Sequence, residues 1–259
     1  MRLSARTTWL LHRAVWAFAF ACGWTMAAAF FVRELGMSPL ALVLTGTALE
    51  VGYFVFEVPT GIVADKYSRR VSIVVGLVVV GAAFVATGLA AGVGVVVAAA
   101  AVMGFGWTFV SGAEDAWLYD AVGEEEVRGA YQRGAQAGRV GSLLGIGAAL
   151  GLALVDLRAP ILLGGAVLVA LGLVLVVLMP ETGFRPASRD DLGAVRTMVR
   201  TGGEGYRLIR ARPLLMLIVG IVSSAASPAR GSTGSGRRTS SSTSACRRSP
   251  ASTRSPGSP

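Results

Sequence analysis

The chain has 259 residues, of which 53% are hydrophobic and 15% are charged, and its mean hydropathy is +0.62. These values are typical of a membrane protein with several helical spans and fit poorly with a globular enzyme. The net charge of +9 does not indicate a nucleic-acid partner, because six basic residues lie in the last 30 positions and the remaining charge is ordinary for membrane-protein loops.

A run of 43 residues, from Val71 to Ala113, holds no charged side chain. A helix needs about 20 apolar residues to cross the hydrocarbon core, so this run predicts two successive spans. A β-barrel is not indicated, because the apolar runs are continuous rather than alternating. The whole chain predicts an all-α membrane protein with six transmembrane helices and a partial seventh. The spans are Ala14–Val32, Pro39–Ala64, Val71–Ala91, Gly94–Tyr119, Gly134–Val155 and Pro160–Met179, followed by 214–226.

The first span follows three arginines and resembles a signal peptide. Its apolar run is 19 residues long and more spans follow, so we expect it to be retained as a helix. Sixteen basic residues lie in the N-terminus and in the loops after spans two, four and six, whereas the opposite side has only Arg33 and Arg158. The positive-inside rule therefore places residues 1–13 in the cytoplasm and the protein in the plasma membrane. The abundance of Ala, Gly, Val and Arg is typical of a GC-rich genome and suggests a bacterial inner membrane.

The chain changes character after span six. Residues 180–213 are charged and partly amphipathic, which predicts a helical linker on the cytoplasmic membrane surface. Residues 227–259 consist largely of Ser, Thr, Arg, Gly and Pro, which predicts a disordered tail. Because the change falls within an unfinished span, we favour a truncated or frame-shifted product over a functional tail.

The loop between spans two and three has a recognisable sequence, Gly-Ile-Val-Ala-Asp-Lys-Tyr-Ser-Arg-Arg. It resembles the signature loop of the major facilitator superfamily of secondary transporters, with Ser68 in the place of the usual glycine. The matching residues are Gly61, Asp65, Lys66, Arg69 and Arg70. We expect Gly61 to allow a neighbouring helix to approach, and Asp65 to meet a helix N-terminus across the bundle. The alternative is an ordinary basic loop that obeys the positive-inside rule. The resemblance implies the N-terminal six-helix half of the fold, arranged as two three-helix repeats.

Acidic residues cluster where span four ends. The resemblance implies that such acids pair with the loop arginines and lock one conformation. The candidates for this conformational charge pairing are Glu114, Asp115, Asp120 and, at a similar depth in span five, Arg139. The alternative is that the acids are interfacial and simply solvated.

Span two contains two acids. Glu50 and Glu57 are seven positions apart with Tyr53 between them, so they share one face of the helix. A carboxylate inside the membrane should face the bundle interior. These three residues are candidates for substrate contact or proton coupling. The alternative is a structural hydrogen bond from a protonated carboxyl group. His12, by contrast, is expected to be an inert interfacial residue.

The sequence has no nucleotide-binding loop, no nucleophile motif and no Cys/His cluster, so neither an enzyme, a cofactor nor a metal site is expected. The resemblance implies a secondary active transporter of a small solute, with efflux of an amphipathic compound coupled to protons as the best guess. The alternative is a non-transporting six-helix assembly or sensing subunit. We expect the chain to be inactive alone, unless the missing C-terminal half or a second copy completes the cavity.

Overall fold

Seven helices account for most of the described part of the chain. The structure is a computed structural model that describes residues 4–66 and 68–180, all within the first of two compact units. The second unit, Val199–Pro259, and most of the expected linker lie outside the described residues, as do the expected seventh span and tail. The helices are α1 (Ala5–Thr25), α2 (Ala27–Arg33), α3 (Pro39–Lys66), α4 (Arg69–Gly88), α5 (Val93–Val122), α6 (Glu124–Ala153) and α7 (Ala159–Leu178).

The helices match the six expected spans in order. Helices α1 and α2 together form span one, with a break at Met26, and α3 to α7 form spans two to six. Among the described residues, five stretches are long and apolar enough to cross a membrane. Helix α6 is not among them, and it begins with three consecutive glutamates and carries arginines at positions 128, 133 and 139. It nevertheless packs along α1 in the manner of a span.

Helix packing reveals an internal repeat. Helix α1 packs against α6 and α7, while α5 packs against the corresponding helices of the first three spans, α3 and α4. The remaining large contact joins α4 to α7, which are each other's counterparts. The pattern is therefore unchanged when the first three spans are exchanged with the last three. This confirms the expected arrangement of two three-helix repeats.

Glycines set the distance between the paired helices. A Cβ built on Gly52 or Gly104 would collide with backbone of the facing helix at the α3–α5 contact, and Gly141 and Gly145 have the same role at the α1–α6 contact. Membrane helices lack a hydrophobic driving force for association, so close backbone approach supplies much of the packing energy. Gly61 is different, because a Cβ there would meet no atom of the described residues within 4 Å. In the described bundle the close approach occurs at Gly52, between two and three turns earlier on α3, and an approach at Gly61 stays a prediction.

Local sequence explains where two of the helices begin. Ser68, which replaces the glycine of the signature loop, caps α4 by accepting a hydrogen bond from the backbone N–H of Val71 at 3.0 Å. Gly123 separates α5 from α6 with a φ of 79°, a conformation that favours glycine. The three glutamates that follow it lie in the first turn of α6, where the helix dipole stabilises negative charge. We refer below to the end of the bundle where α1, α4 and α6 begin as the N-terminal end.

Candidate functional site

A carboxylate held by two basic side chains lies near the N-terminal end. The Glu114 carboxylate on α5 contacts Nε2 of His12 at 3.0 Å and accepts a hydrogen bond from Arg13 at 3.2 Å, both from α1. The side chains of His12 and Glu114 are only 5% and 17% exposed, so the cluster is largely shielded from solvent. Glu114 therefore pairs with α1 and not, as expected, with an arginine of the signature loop or with Arg139.

The His12 ring is buried between two tryptophans. Its centroid lies 6.2 Å from that of Trp9 and 6.0 Å from that of Trp16. Nδ1 of His12 is buried and has no hydrogen-bond partner among the described residues, so a proton on that nitrogen would be unsatisfied. The expectation that His12 is an inert interfacial residue is wrong. Its spacing from Trp9 and Trp16 on one helix face was a signal of burial, but its partner is 102 positions away in the sequence.

The other two acids of span four have separate partners. Asp120 pairs with Arg69 of the signature loop, and Arg69 also donates a hydrogen bond to the carbonyl oxygen of Ala116 at 2.8 Å. Asp115 accepts a hydrogen bond at 2.9 Å from the hydroxyl of Tyr131 on α6. The acids expected to form one cluster thus tie the end of α5 to three different helices. Side chains of the signature residues Asp65 and Lys66 lie outside the described structure.

Arg139 lies on an open groove between α1 and α6. The groove has a volume of about 580 Å³, and Arg13 and Ser142 line it together with Arg139. Arg139 is exposed, and in the part of the chain that the structure describes it makes no ion pair. It is therefore not brought to Glu114, although Arg13 lies between the two.

The acids of α3 face away from the described bundle. Glu50 and Glu57 are both exposed, and the hydroxyl of Tyr53 donates a hydrogen bond to Oε1 of Glu57 at 3.0 Å. Phe54, on the same stretch of α3, is 81% exposed. Both carboxylates are exposed because α3 buries its glycine-lined face against α5 in the described bundle, and their expected interior position in a complete carrier stays a prediction.

Aromatic side chains fill the middle of the bundle. Trp16 and Phe20 each lie with their ring centroid 5.2 Å from that of Trp107, and Phe84 packs edge-on against Phe20 and Trp24. The sequence left open whether Trp16, Trp24 and Trp107 pack or line a cavity. In the described bundle Trp16 and Trp107 pack against each other, whereas Trp24 packs on Phe84 and also lines a cavity of about 10 Å³. Among the described residues no group of three or more His, Cys, Asp or Glu could hold a metal ion.

Comparison with known families decides the assignment. A family model described as Major Facilitator Superfamily matches residues 14–229, which is most of the chain. The chain belongs to the major facilitator superfamily. No curated protein matches it.

Membership of this superfamily explains the apolar helices and the internal repeat. Major facilitators are multi-pass membrane transporters of small molecules, so the apolar helices of this chain are membrane spans and its class is membrane transport. The two three-helix repeats correspond to the six-helix half expected from the sequence. The matched region begins at Ala14, where the first span was expected, and runs beyond the described residues.

Proposed function

We propose that this major facilitator is a secondary active transporter that exports a small amphipathic solute in exchange for protons. We place it in the plasma membrane with its N-terminus in the cytoplasm. The observation that carries the proposal is the pair of carboxylates on α3, Glu50 and Glu57, in the membrane-spanning stretch Pro39–Glu57, which has no other charged side chain. Ionisable side chains in a membrane span are costly and commonly mark a substrate or proton pathway.

Glu50 and Glu57 are proposed to exchange protons, and Tyr53 to orient Glu57 through their hydrogen bond. Both carboxylates are exposed on this face of α3 in the described bundle, and a carrier places its binding site between two bodies that rock against each other. We propose that a second six-helix body covers the face, either a C-terminal half or a second copy of this chain. Charge pairs at the N-terminal end, including Arg69 with Asp120, would then stabilise one of the two conformations.

Reconstitution of the full chain into liposomes tests this function. Under an imposed pH gradient, accumulation of ethidium or taurocholate, a cationic and an anionic amphipathic probe, is measured in the unsubstituted chain and in Glu50→Gln and Glu57→Gln. We expect gradient-driven accumulation to be lost in both variants. If two copies form the carrier, the flux per protein should also rise with the protein-to-lipid ratio, as mass action requires.

Glu124→Gln is the matched control, because Glu124 is an exposed acid at the start of α6, outside the apolar part of the bundle. It should transport as the unsubstituted chain does. Gradient-driven flux that survives in the double variant Glu50→Gln/Glu57→Gln would refute the coupling role of the α3 acids.

A second candidate function is a non-transporting assembly or sensing subunit. The observation that favours it is the exposed apolar surface of α3 around Phe54 and Val55, which are 81% and 55% exposed and could bind another helical protein. Such a subunit should keep its partner when Glu50 and Glu57 are both replaced by Gln. It should also show no gradient-driven flux of either probe, which separates the two functions.

A further inference from the structure

The groove between α1 and α6 has the chemistry of an anion site. Two arginines, Arg13 on α1 and Arg139 on α6, line it together with the hydroxyl-bearing Ser142. Apolar and small residues, including Ala17 and Leu143, complete its lining. We propose that this groove binds the anionic group of an amphipathic ligand, a carboxylate, sulfonate or phosphate, through Arg13 and Arg139.

The charge balance of the groove favours an anion. Arg139 has no ion pair within the described structure, and the one carboxylate that contacts Arg13 is Glu114. The glutamates of the first turn of α6 are remote, since Glu126 precedes Arg139 by thirteen positions, or about 20 Å along the helix. Glu126 is in addition paired with Arg6. Two cations therefore face the groove against one partly shared anion.

Guanidinium groups suit this task for a geometric reason. Each presents five N–H donors in a planar fork that matches the oxygens of a carboxylate, sulfonate or phosphate. Arg13 uses Nη1 for Glu114 and lies with its guanidinium 5.5 Å from the Trp9 ring centroid, so the rest of its donor set remains for a ligand. Arg139 is exposed and keeps its whole donor set available within the described structure.

The spacing between α1 and α6 leaves space for the groove. Gly141, which follows the groove residue Gly138 by three positions on α6, lies so close to the carbonyl oxygen of Ala14 that a Cβ would collide with it. At Gly138, beside the arginines, a Cβ would still lie 3.7 Å from Ala17 Cβ and from the Arg13 carbonyl oxygen. The helices thus separate slightly toward the arginines, and the small side chains of Ala17 and Ala135 leave space between them.

The affinity of the groove for an anion should depend on Glu114, because Glu114 and a bound anion would both interact with Arg13. The Arg13 guanidinium holds Glu114 at 3.2 Å, and any anion in the groove competes with Glu114 for it. Removing the Glu114 charge should therefore strengthen anion binding, whereas removing Arg139 should weaken it. These opposite effects are specific to a shared cation, since misfolding would weaken binding in both variants.

This inference rests on the proposed function in that it names an anionic substrate class, and binding can be tested without transport. The full chain is purified in the neutral detergent dodecyl maltoside and titrated by calorimetry with benzenesulfonate or inorganic phosphate at constant ionic strength. Arg139→Gln should weaken binding roughly tenfold, as expected for loss of a charge-assisted hydrogen bond. Glu114→Gln should tighten it several-fold. Arg128→Gln, which removes an exposed arginine of α6 outside the groove, should have no effect.

A parallel titration with phosphatidylglycerol identifies the source of the anion. Binding of the lipid alone, lost in Arg139→Gln, would retain the anion site and assign it to a lipid headgroup. Equal affinity of the unsubstituted chain and Arg139→Gln for all three probes would overturn the site, provided that the melting temperature shows the variant to be folded. Anion binding without liposome flux would instead refute only the proposed transport, and flux without Arg139-dependent binding would refute only the site.

Discussion

Gly81 on α4 and Gly165 on α7 face each other so closely that a Cβ on either would lie 2.7 Å from the carbonyl oxygen of the other. Each Cβ would also meet the valine one turn beyond the facing glycine, Val169 in one case and Val85 in the other, at 2.8 Å. The contact is thus unchanged when the two repeats are exchanged. It marks the point where the pseudo-symmetry axis passes between α4 and α7.

The same relation extends along the crossing. A Cβ on Gly88 would meet Leu162, and a Cβ on Gly172 would meet Val78. Gly172 follows Gly88 by 84 positions and Leu162 follows Val78 by 84 positions, the same offset that separates Gly81 from Gly165, so the two contacts are equivalent under exchange of the repeats. The two repeats therefore share the register of their central contact, and there the sequences are similar, since residues 81–88 read Gly-Ala-Ala-Phe-Val-Ala-Thr-Gly and residues 165–172 read Gly-Ala-Val-Leu-Val-Ala-Leu-Gly.

Symmetry of the crossing makes a prediction about stability. We expect Gly81→Ala and Gly165→Ala each to destabilise the bundle by about 1–3 kcal/mol, the usual cost of overpacking. The two losses should be similar, because the obstructing atoms are equivalent. Gly147→Ala is the control, since nothing lies within 4 Å of a Cβ at that position. Melting temperatures of the purified full chain measure all three, and a loss confined to one of the two glycines would contradict the symmetric crossing.

Neighbouring glycines of α6 offer a matched test of the α1–α6 contact. We expect Gly141→Ala to lower the melting temperature, because its Cβ would collide with the carbonyl oxygen of Ala14. Gly138→Ala should be tolerated, because its nearest contacts at 3.7 Å are ordinary van der Waals distances. Both substitutions add one methyl group to the same helix, so the difference between them reports the local helix separation. Equal melting temperatures would show that the helices can shift apart at no cost.

Membrane spans were predictable because a helix that crosses the hydrocarbon core needs about 20 predominantly apolar residues. Each expected span coincides with a helix, and α7, for example, extends from Ala159 to Leu178 where Pro160–Met179 was expected. Helix ends were less predictable, since α1 and α6 each begin about ten residues before the apolar run. There the helix continues in polar sequence beyond the apolar segment, and hydropathy carries no signal for it.

Pairing between helices was much less predictable. From the sequence we predicted that Glu114 pairs with an arginine of the signature loop. Its partners are instead His12 and Arg13, which lie about a hundred positions earlier in the chain. The pattern also assigned Glu50 to an inward face, whereas α3 turns its glycines to α5 and exposes the acid. Helical periodicity groups residues on one face, but only packing decides what that face meets.

Ser68 should tolerate some replacements and not others. Because its side chain caps α4, Ser68→Ala should cost about 1 kcal/mol, while Ser68→Gly, which restores the residue usual in the signature loop, should cost only a few tenths. Ser68→Asp keeps an acceptor for the Val71 N–H and serves as the control. Hydrogen exchange at the first turn of α4 in detergent measures the local effect. Faster exchange in the Asp variant than in the Ala variant would rule out capping as the reason for serine here.

His12 and Glu114 should be energetically coupled. Each is largely buried and the two are in contact, so His12→Phe or Glu114→Gln alone removes or weakens a buried polar contact and should destabilise the bundle. In the double variant the second substitution should cost less than it does alone, with a coupling energy of about 1 kcal/mol, within the range for polar contacts between membrane helices. The cycle is measured from denaturant unfolding of the four proteins in the same detergent.

His12→Phe/Asp120→Asn provides the reference pair, since Asp120 pairs with Arg69 and makes no contact with His12 in the described structure. Strict additivity in the first cycle would show that the His12–Glu114 contact does not stabilise the bundle, and coupling of the same size in the reference cycle would show that it is not specific.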